Sequence, residues 1–396
     1  MRSKAQINSI VLSLLVALPL MSTDIFLAAL PAIRDYFGGS QEETKKTLTY
    51  FMAGFGISTL LFGVISDRYG RRPIVLFCLA LFSISSLIAF FSSTLDTLVW
   101  SRFFQALGAG SGTVLARSII RDLYKPNEAV EVLAMIAAVM TFSTLLAPIL
   151  GSMLYESMGW RSSFGFMSLI GIITLLSVLV HLPESIDRLD KNALKFRELK
   201  RKFLSCVGKN EFVGLTLTIS FIWSSFFIFI MQSSFLLQEK LGLSILTFGV
   251  VYALIVAGYI LGTIIARKLA VGYSPLIVIK WGLFVSVSSL FMMVLAWEVS
   301  PGAVSISVCM FVFLVGCGLI VPNCQAAALE PFPEMAGFAG SLFYSVEMSV
   351  SAIVALFVAG LALETHLILF AMALFAALGL GSFFYWCNLL PSLNER

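Results

Sequence analysis

The sequence predicts an all-α integral membrane protein with twelve transmembrane helices. Of the 396 residues, 59% are hydrophobic and only 12% are charged, whereas soluble domains carry about 25% charged residues. Most of the surface must therefore face lipid. Runs of roughly 20 apolar residues, each long enough to cross a bilayer, occur twelve times. They fall at about 7–33, 47–66, 73–94, 97–119, 129–155, 162–182, 211–237, 245–266, 275–297, 303–325, 337–363 and 366–389.

A polar interval separates six spans from six further spans. The predicted domains are an N-terminal six-helix bundle at 1–182, a cytosolic linker at 183–210 and a C-terminal six-helix bundle at 211–396. The linker mixes basic and acidic residues, which predicts a solvated, partly helical connector on the inner leaflet; a regulatory binding segment is the alternative. The first apolar run contains Asp24 and has no cleavage site, which predicts an uncleaved first span rather than a signal peptide.

The distribution of basic residues predicts the orientation. With both termini in the cytosol, nineteen Lys and Arg residues fall in cytosolic segments and five in outer loops. Arg2, Lys4 and Arg396 belong to the cytosolic set. Because cytosolic loops carry the excess of Lys and Arg in membrane proteins, we expect both termini to be cytosolic.

Several function classes are disfavoured by what the sequence lacks. The net charge is +4 without a basic stripe interleaved with aromatic residues, which argues against nucleic acid as a partner. His181 and His366 lie near span ends, so no histidine-based metal site is expected. The run Gly108 to Gly112 follows no strand and lies in mid-span, where small residues let helices approach closely. We predict packing there, not nucleotide binding.

The loop after the second span carries the most specific pattern, GVISDRYGRRP, from Gly63 to Pro73. A glycine at the start of this pattern lets a neighbouring helix backbone approach closely. Asp67 is suited to the N-terminus of another helix, where the macrodipole favours an anion. Gly70 permits a tight turn. Arg71 and Arg72 are predicted to grip the cytosolic interface.

The second half repeats this pattern weakly. Gly262 is followed after three residues by Ala266, Arg267 and Lys268 at the end of the eighth span. Such a repeat is typical of two parallel six-helix repeats. Since alanine replaces the aspartate, we expect any switch that needs this carboxylate to belong to the first half.

Three ionisable residues are predicted to lie inside the membrane, where charges are costly and mark functional sites. Asp24 lies about 24 Å from the cytosolic side and Arg102 about 28 Å, at 1.5 Å of helical rise per residue. Glu347 lies about 16 Å deep by the same rise, with no Lys or Arg inside any span of the second half. We therefore expect Glu347 to hold its proton at neutral pH; a structural glutamate bonded to a neighbouring helix is the alternative.

Aromatic and amide side chains within the spans are candidates for the lining of an apolar substrate cavity. A mid-span amide requires a hydrogen-bond partner, which singles out the three amides of the set. The candidates are Gln105, Trp223, Phe226, Gln232, Asn323 and Tyr344.

Together with the loop at 63–73, four further stretches resemble the drug:proton antiporters of the major facilitator superfamily, and in particular the bicyclomycin-resistance/chloramphenicol-efflux group. They are STDIFLAALP in span one, RFFQALGAGSGTVLARSIIRDLY from Arg102, LLAPILG in span five and PNCQAAALEPFPEMAGFAGSL from Pro322. In span five this chain has Ser143, Ala147 and Ser152 where the group usually has glycines. Only Pro148 and Gly151 match that motif outright.

The resemblance implies the major facilitator fold of two six-helix pseudo-repeats and proton-coupled efflux of small amphiphilic drug-like or metabolite molecules. It further implies alternating access in a bacterial inner membrane, the proton gradient as energy source without a cofactor, and a monomer whose partners are substrate, protons and lipid. Spans one and four line the cavity in this family, so Asp24 and Arg102 are expected to face each other or to share a water. The implied switch residues are Gly63, Asp67, Arg68, Gly70, Arg71, Arg72, Pro148 and Gly151.

Three alternatives remain at this point. The nearest is a proton-coupled importer, or a siderophore or metabolite transporter, on the same fold. A membrane subunit that works only with a separate ATPase would instead show ATP-dependent transport. An integral membrane enzyme would need a clustered catalytic set, which the sequence does not show; we therefore expect no enzymatic activity.

Overall fold

The structure is a computed structural model that describes the backbone of residues 2–186, 188–361 and 363–388. Side chains are described for 8–125, 128–186, 188–361 and 363–386. Asp187 of the predicted linker and Arg396 of the orientation argument lie outside the described residues, as do the side chains of Arg2 and Lys4.

The chain divides into two compact units, Met1–Arg201 (unit 1) and Lys202–Arg396 (unit 2). Unit 1 is helical throughout its described length, and a short 3₁₀ turn at Leu27–Ala29 follows its first helix. Its helices are α1 (Arg2–Asp24), α2 (Leu30–Phe37), α3 (Gln41–Tyr69), α4 (Arg71–Phe90), α5 (Leu95–Leu123), α6 (Pro126–Met158) and α7 (Ser162–His181).

Unit 2 is also helical. A helix in the predicted linker, α8 (Phe196–Val207), contains the point at which the two units divide. A π-helical turn at Phe235–Lys240 extends the first long helix, and a 3₁₀ turn at Pro333–Met335 precedes the fifth. The helices are α9 (Asn210–Ser234), α10 (Ile245–Leu269), α11 (Pro275–Val299), α12 (Ala303–Leu329), α13 (Ala336–Gly360) and α14 (Thr365–Asn388).

Short polar residues start several of the helices. Ser40 and Glu43 form a capping box at α3, in which the Ser40 hydroxyl accepts from the Glu43 N–H at 3.1 Å and the Glu43 carboxylate accepts from the Ser40 N–H at 2.8 Å. Thr94 accepts from the Thr97 N–H at the start of α5. Since the first N–H groups of a helix lack intrahelical partners, these side chains fix where the helices begin.

Eleven segments in the described part of the chain are helical, long enough and apolar enough to cross a membrane. The predicted fourth span, α5, is not among them, although its 29 residues would extend about 44 Å. Arg102, Gln105 and the small residues of its middle make this helix less apolar than the others. These polar side chains do not face lipid, because Arg102 and Gln105 are completely buried against other helices of unit 1.

Corresponding pairs of helices pack against each other in the two units. In unit 1, α5 packs mainly against α3 and α4, α4 against α7, and α1 against α6. In unit 2, α12 packs against α10 and α11, α11 against α14, and α9 against α13. Each helix of unit 2 thus repeats the neighbours of its counterpart in unit 1, as two six-helix repeats require.

The glycine run of α5 packs closely against two neighbouring helices, as predicted. A Cβ added to Gly108 would lie 2.5 Å from the Cys78 carbonyl oxygen on α4, and one added to Gly112 would lie 2.4 Å from the Leu15 carbonyl oxygen on α1. Pro19 lies inside α1 and has no N–H, so it cannot donate to the carbonyl of Leu15, four residues earlier. The α5 backbone covers that carbonyl.

Candidate functional site

The buried cation of unit 1 is Arg102, which α5 places against the end of α1. Its guanidinium donates through Nη2 to the Ser22 carbonyl oxygen at 2.9 Å and through Nη1 to the Gln105 side-chain oxygen. The rings of Phe26 and Phe51 lie 4.2 and 4.1 Å from its central carbon. These aromatic faces attract a guanidinium electrostatically, so a completely buried Arg102 is stabilised without an acidic partner.

The contact with Ser22 follows from the way α1 ends. The last carbonyl groups of a helix lack intrahelical donors and carry the negative end of the macrodipole. Since α1 ends at Asp24, the Ser22 carbonyl is one of these groups and Arg102 caps it. Gln105 then donates to the Ser86 hydroxyl on α4 at 2.7 Å. One polar chain therefore joins α1, α5 and α4 inside unit 1.

Asp24 lies in the same turn of α1 and is buried, at the depth expected from helical rise. Among the described residues, however, Asp24 and Arg102 form no ion pair. Of the two expected arrangements, a direct ion pair is thus not found, and a shared water stays a prediction. The physical reason is that the Ser22 carbonyl, Gln105 and the two phenyl rings already surround the guanidinium of Arg102.

The buried carboxyl of unit 2 has a different environment. Glu347 on α13 is 2% exposed, and its Oε2 has no hydrogen-bond partner among the described residues. Tyr344 and Ser351, at spacings of three and four residues, share its face of the helix. Tyr344 donates to the Gln325 side-chain oxygen on α12 at 3.0 Å, and the Ser351 hydroxyl lies 3.4 Å from that of Ser224 on α9.

The structure separates the predicted cavity residues into two groups. The amides of Gln105 and Asn323 bond inside their own units: Gln105 joins Arg102 to Ser86, and Asn323 donates to the Leu319 carbonyl of its own helix at 2.8 Å. These amides therefore have partners within the protein.

The second group lies on α9. The indole N–H of Trp223 is buried without a hydrogen-bond partner in the described part of the chain, and its ring packs edge-on against Phe226 at 5.4 Å. Gln232, on the same helix, is buried. Among the buried atoms of the described residues that have no hydrogen-bond partner are thus the Trp223 indole N–H, beside Phe226, and the Glu347 Oε2.

Arg71 is the centre of an ionic cluster at the end of unit 1 where α3 meets α4. It contacts the Asp67 carboxylate at 2.6 Å and the Asp122 carboxylate at 3.2 Å, and it donates to the Ser66 hydroxyl at 2.5 Å. Its side chain is almost completely buried. The predicted role of Arg71 as an interface anchor is therefore wrong, because two carboxylates from α3 and α5 hold it inside the bundle. Arg72 donates to the Leu179 carbonyl at the end of α7.

The sequence analysis missed Glu184, which binds the N-terminus of α4. Its carboxylate accepts from the backbone N–H groups of Arg71 at 2.9 Å and Arg72 at 3.1 Å. The anion at the N-terminus of α4 is thus Glu184, whereas the Asp67 carboxylate contacts the Arg71 side chain; the placement of Asp67 at the N-terminus of another helix stays a prediction. Gly70, at φ +100°, leaves room for it, since an added Cβ would lie 2.6 Å from the Glu184 Oε2. The signal was that α4 starts at Gly70-Arg71-Arg72 without a capping side chain.

The start of the linker is bound to the same cluster. Arg68 donates to the Lys191 carbonyl oxygen at 3.0 Å, and the Asp190 N–H donates to the Asp67 carbonyl oxygen at 3.0 Å. At the beginning of the pattern, the Gly63 carbonyl accepts from the Ser66 hydroxyl at 2.7 Å. Every polar residue of the loop except Tyr69 therefore contacts either the ionic cluster or the linker, Arg72 through its backbone N–H.

The Pro148–Gly151 motif of α6 contacts the end of α1. A Cβ added to Gly151 would lie 1.8 Å from the Ile25 carbonyl oxygen, so only glycine fits there. Ile25 directly follows Asp24. The hydroxyl of the neighbouring Ser152 is buried with no hydrogen-bond partner among the described residues. Where α1 ends, α6 therefore packs on its backbone as closely as α5 does at Gly112.

The second-half counterpart of the loop is apolar. Ala266 belongs to a buried cluster with Val278 and Leu319. A Cβ added to Gly262 would lie 2.1 Å from the Val315 carbonyl oxygen, so this glycine allows α10 and α12 to pack closely. The absence of a carboxylate there agrees with the expectation that a charged switch belongs to unit 1.

Comparison with known proteins gives a consistent result. Residues 12–355 match the family model described as Major Facilitator Superfamily. The bicyclomycin resistance protein homolog of Haemophilus influenzae is 25% identical over 89% of each chain. Multidrug resistance protein D of Escherichia coli is 26% identical over 90% of this chain and 89% of its own. Among solved structures, a D-xylose-proton symporter superposes with a TM-score of 0.78 at 17% identity, covering 96% of both chains.

Proposed function

Because the chain belongs to the Major Facilitator Superfamily, we propose that it is a proton-coupled secondary transporter that exports small amphiphilic drug-like or metabolite molecules by alternating access. One observation carries the direction of transport: relatives named for bicyclomycin and multidrug resistance align over almost their full length. The symporter likeness, at 17% identity, concerns the fold alone. As a family member, the chain is a membrane transporter of small molecules and not an enzyme.

Two buried carboxyls support the proton coupling. Asp24 ends α1 in unit 1 and Glu347 lies in mid-helix in unit 2, and both are buried. Keeping an ionisable group inside a bilayer costs at least about 2.5–3.5 kcal/mol, which is tolerated where the group serves transport. We assign the coupling proton to Asp24. Arg102 is a positioning residue, since it holds the end of α1 through the Ser22 carbonyl.

Substrate recognition is assigned to groups that the protein leaves available. Trp223, Phe226 and Gln232 offer an aromatic surface with two polar groups on α9, and Tyr344 adds a ring on α13 beside Glu347. Gln105 and Asn323 are given positioning roles, because their amides bond inside the units. Such a set suits an amphiphile with an apolar body and few polar groups.

The remaining assignments follow the same proposal. We place the protein in a bacterial cytoplasmic membrane with both termini in the cytosol, as a monomer that uses the proton gradient and no cofactor. The excess of basic residues in the segments assigned to the cytosol supports the orientation.

Proton flux in proteoliposomes tests the proposal. Purified protein is reconstituted with a pH-sensitive dye, a pH gradient is imposed, and a panel of cationic and neutral amphiphiles is added. An exporter moves protons opposite to substrate, and an uncoupler abolishes transport. Proton movement in the same direction as substrate would establish the importer, while flux that requires ATP and ignores the uncoupler would establish an ATPase partner.

Glu347→Gln separates a transport role of Glu347 from a structural one. The amide resembles the protonated acid, so we expect transport of cationic substrates to fall at least tenfold and transport of neutral ones to persist between pH 6 and 8. Unchanged transport of both classes over that range would return Glu347 to a structural role.

A further inference from the structure

Helix α8 of the predicted linker carries an exposed apolar stripe. The helix has 12 residues and therefore extends about 18 Å. Four of its large apolar side chains are between 43% and 79% exposed. Their spacings of 7, 8 and 11 residues from the first return to one side of a helix, so the four lie in one row. They are Phe196, Phe203, Leu204 and Val207. Because apolar surface in water is unfavourable, this stripe is suited to docking.

The second half of α8 packs against α13 through a different side. The Cys206 side chain is completely buried, and the Nζ of Lys202, four residues earlier, lies 5.9 Å from the centre of the Phe338 ring near the start of α13. Residues four apart share a side of a helix. Val207 directly follows Cys206 and is therefore turned about 100° away from it. The contact with α13 thus holds α8 in place and leaves the apolar stripe exposed.

The connection to α9 fixes the level of α8 relative to the membrane. Only Gly208 and Lys209 separate Val207, the last residue of α8, from Asn210, the first residue of α9. Three residues of chain reach at most about 11 Å. Since Asn210–Lys240 is long and apolar enough to cross a membrane, the C-terminal end of α8 lies close to the point where α9 enters the bilayer.

The polar side of α8 is basic. From Lys195 to the end of the helix the sequence has five basic residues and one acidic residue. The acid, Glu198, pairs with Arg201 at 2.8 Å. Arg197 and Lys200 are exposed and form no ion pair within the described part of the chain. Lys200 lies on the stripe itself, where the stem of a lysine covers apolar surface and its ammonium group reaches outward.

We propose that α8 is an interfacial helix that binds anionic phospholipids, with the apolar stripe among the acyl chains and with Arg197 and Lys200 on the headgroup phosphates. An apolar row beside uncompensated basic residues matches such a surface. The short connection to α9 favours lipid over an acidic protein, because it keeps the stripe at the membrane surface. The assignment goes beyond the proposed export: it needs the membrane location, and not the direction of transport or the identity of the coupling ion.

The depth of the stripe is measured by tryptophan quenching on the full-length protein in lipid nanodiscs. Phe203→Trp adds an indole on the stripe. Ser205→Trp is the matched control, because this exposed position lies two residues on and is turned about 200° from the stripe residue. The signal of wild type, which has six tryptophans, is subtracted from both. Lipids with brominated acyl chains should quench the indole added by Phe203→Trp and leave that of Ser205→Trp unquenched.

The role of the basic residues is measured in nanodiscs that mix phosphatidylcholine with phosphatidylglycerol. Only one of the two lipids is brominated at a time, so the ratio of quenching in Phe203→Trp gives the preference for the anionic lipid. Adding Arg197→Gln and Lys200→Gln should lower this preference about fivefold for each basic residue removed. Arg267→Gln with Lys268→Gln is the matched control, since it removes the same charge from exposed positions at the end of α10. It should leave the preference unchanged.

Three results would overturn the proposal. In the first, brominated chains quench the indoles of Phe203→Trp and Ser205→Trp equally. In the second, neither indole is quenched and that of Phe203→Trp shows the blue-shifted emission of a dry site, which would mean that a protein surface covers the stripe. In the third, the preference for phosphatidylglycerol is absent or survives in the variant that lacks both basic residues. Because no transported substrate is present, each result leaves the export proposal untouched, and failure of the export assay leaves lipid binding by α8 untouched.

Discussion

In unit 1 the guanidinium of Arg102 is held from several sides, with its Nε unbonded among the described residues, whereas in unit 2 Oε2 of the Glu347 carboxyl has no donor there. Arg102 bonds the Ser22 carbonyl and Gln105 and contacts two phenyl rings. Glu347 has an unpaired oxygen. A group held from several sides is costly to move, while an unpaired one can exchange its proton or bind a ligand. The two repeats thus share their helix packing, but Arg102 and Glu347 have different surroundings.

The cytosolic corners differ in a similar way. The corner between α3 and α4 places Arg71 between the carboxylates of Asp67 and Asp122, while the corner between α10 and α11 has Ala266 in an apolar cluster. Ionic contacts depend on direction and distance, and they break when a helix shifts. Apolar contacts tolerate such shifts. Of these two corners, that of unit 1 therefore holds the ionic cluster among the described residues.

Asp24→Asn should have the largest effect on function. Without the carboxylate at the end of α1, substrate-induced proton release from purified protein should fall to background while the protein remains folded. Asp35→Asn is the control, since this exposed outer residue pairs only with Arg34. If Asp24→Asn released protons at the wild-type level, Asp24 would not be the coupling residue and the coupling site would be sought in unit 2.

Arg71→Ala should cost the most stability at the corners. It leaves two carboxylates without their cation, and breaking a mostly buried ion pair costs about 3 kcal/mol. Thermal unfolding in detergent should show a Tm lower by several degrees. Arg267→Ala in unit 2, at an exposed position, should change stability by less than about 0.5 kcal/mol. Equal losses from both variants would contradict the contrast between the corners.

Gly151→Ala should reduce stability by an intermediate amount. The new Cβ would meet the Ile25 carbonyl, and forcing the helices apart costs about 1–3 kcal/mol. Unfolding and transport assays should both report the loss. Gly381→Ala on α14 is the matched control, because an added Cβ there meets nothing within 4 Å. This variant should have unchanged or slightly higher stability. If Gly151→Ala is equally neutral, the contact between α6 and α1 is not tight.

Asp67→Asn should slow turnover several-fold without changing substrate affinity. It weakens one of the two contacts of Arg71 with carboxylates, and Asp67 is not one of the residues assigned to substrate recognition. Substrate Kd and turnover are measured on the same preparation. A large rise in Kd with normal turnover would exclude this role of Asp67 in turnover.

Glu184→Gln should have the smallest effect. The amide keeps one oxygen acceptor for the N-terminus of α4 but loses the negative charge, which is worth about 0.3–1 kcal/mol. A small decrease in unfolding temperature is expected, well below that of Arg71→Ala. A loss as large as that of Arg71→Ala would mean that the linker, and not the pair of aspartates, holds this corner.

Features set by local sequence were predictable. Apolar runs located the spans, because crossing a bilayer requires length and hydropathy, and the small residues from Gly108 to Gly112 indicated close packing. The matched levels of Asp24 on α1 and Arg102 on α5 also followed from helical rise, since Arg102 bonds the Ser22 carbonyl. These predictions need only the periodicity of one helix, so they hold without knowledge of its neighbours.

Partners that come from distant segments were not predictable. Arg102 was expected to meet Asp24, but the free carbonyl of Ser22 and the ring of Phe51 compete for it, and backbone acceptors leave no trace in a sequence. The contact of Glu184 with α4 joins residues more than 110 positions apart. It follows only once the linker is folded back onto unit 1.

The proline in α1 has a mechanical consequence. Since Pro19 cannot donate to the Leu15 carbonyl, and that carbonyl is covered by the backbone at Gly112, the two parts of α1 are joined by one backbone hydrogen bond fewer. The segment that bears Ser22 and Asp24 is therefore more compliant in bending than the segment before it. Bending at Pro19 would tilt the segment that bears Ser22 and Asp24 relative to α5, against which it packs.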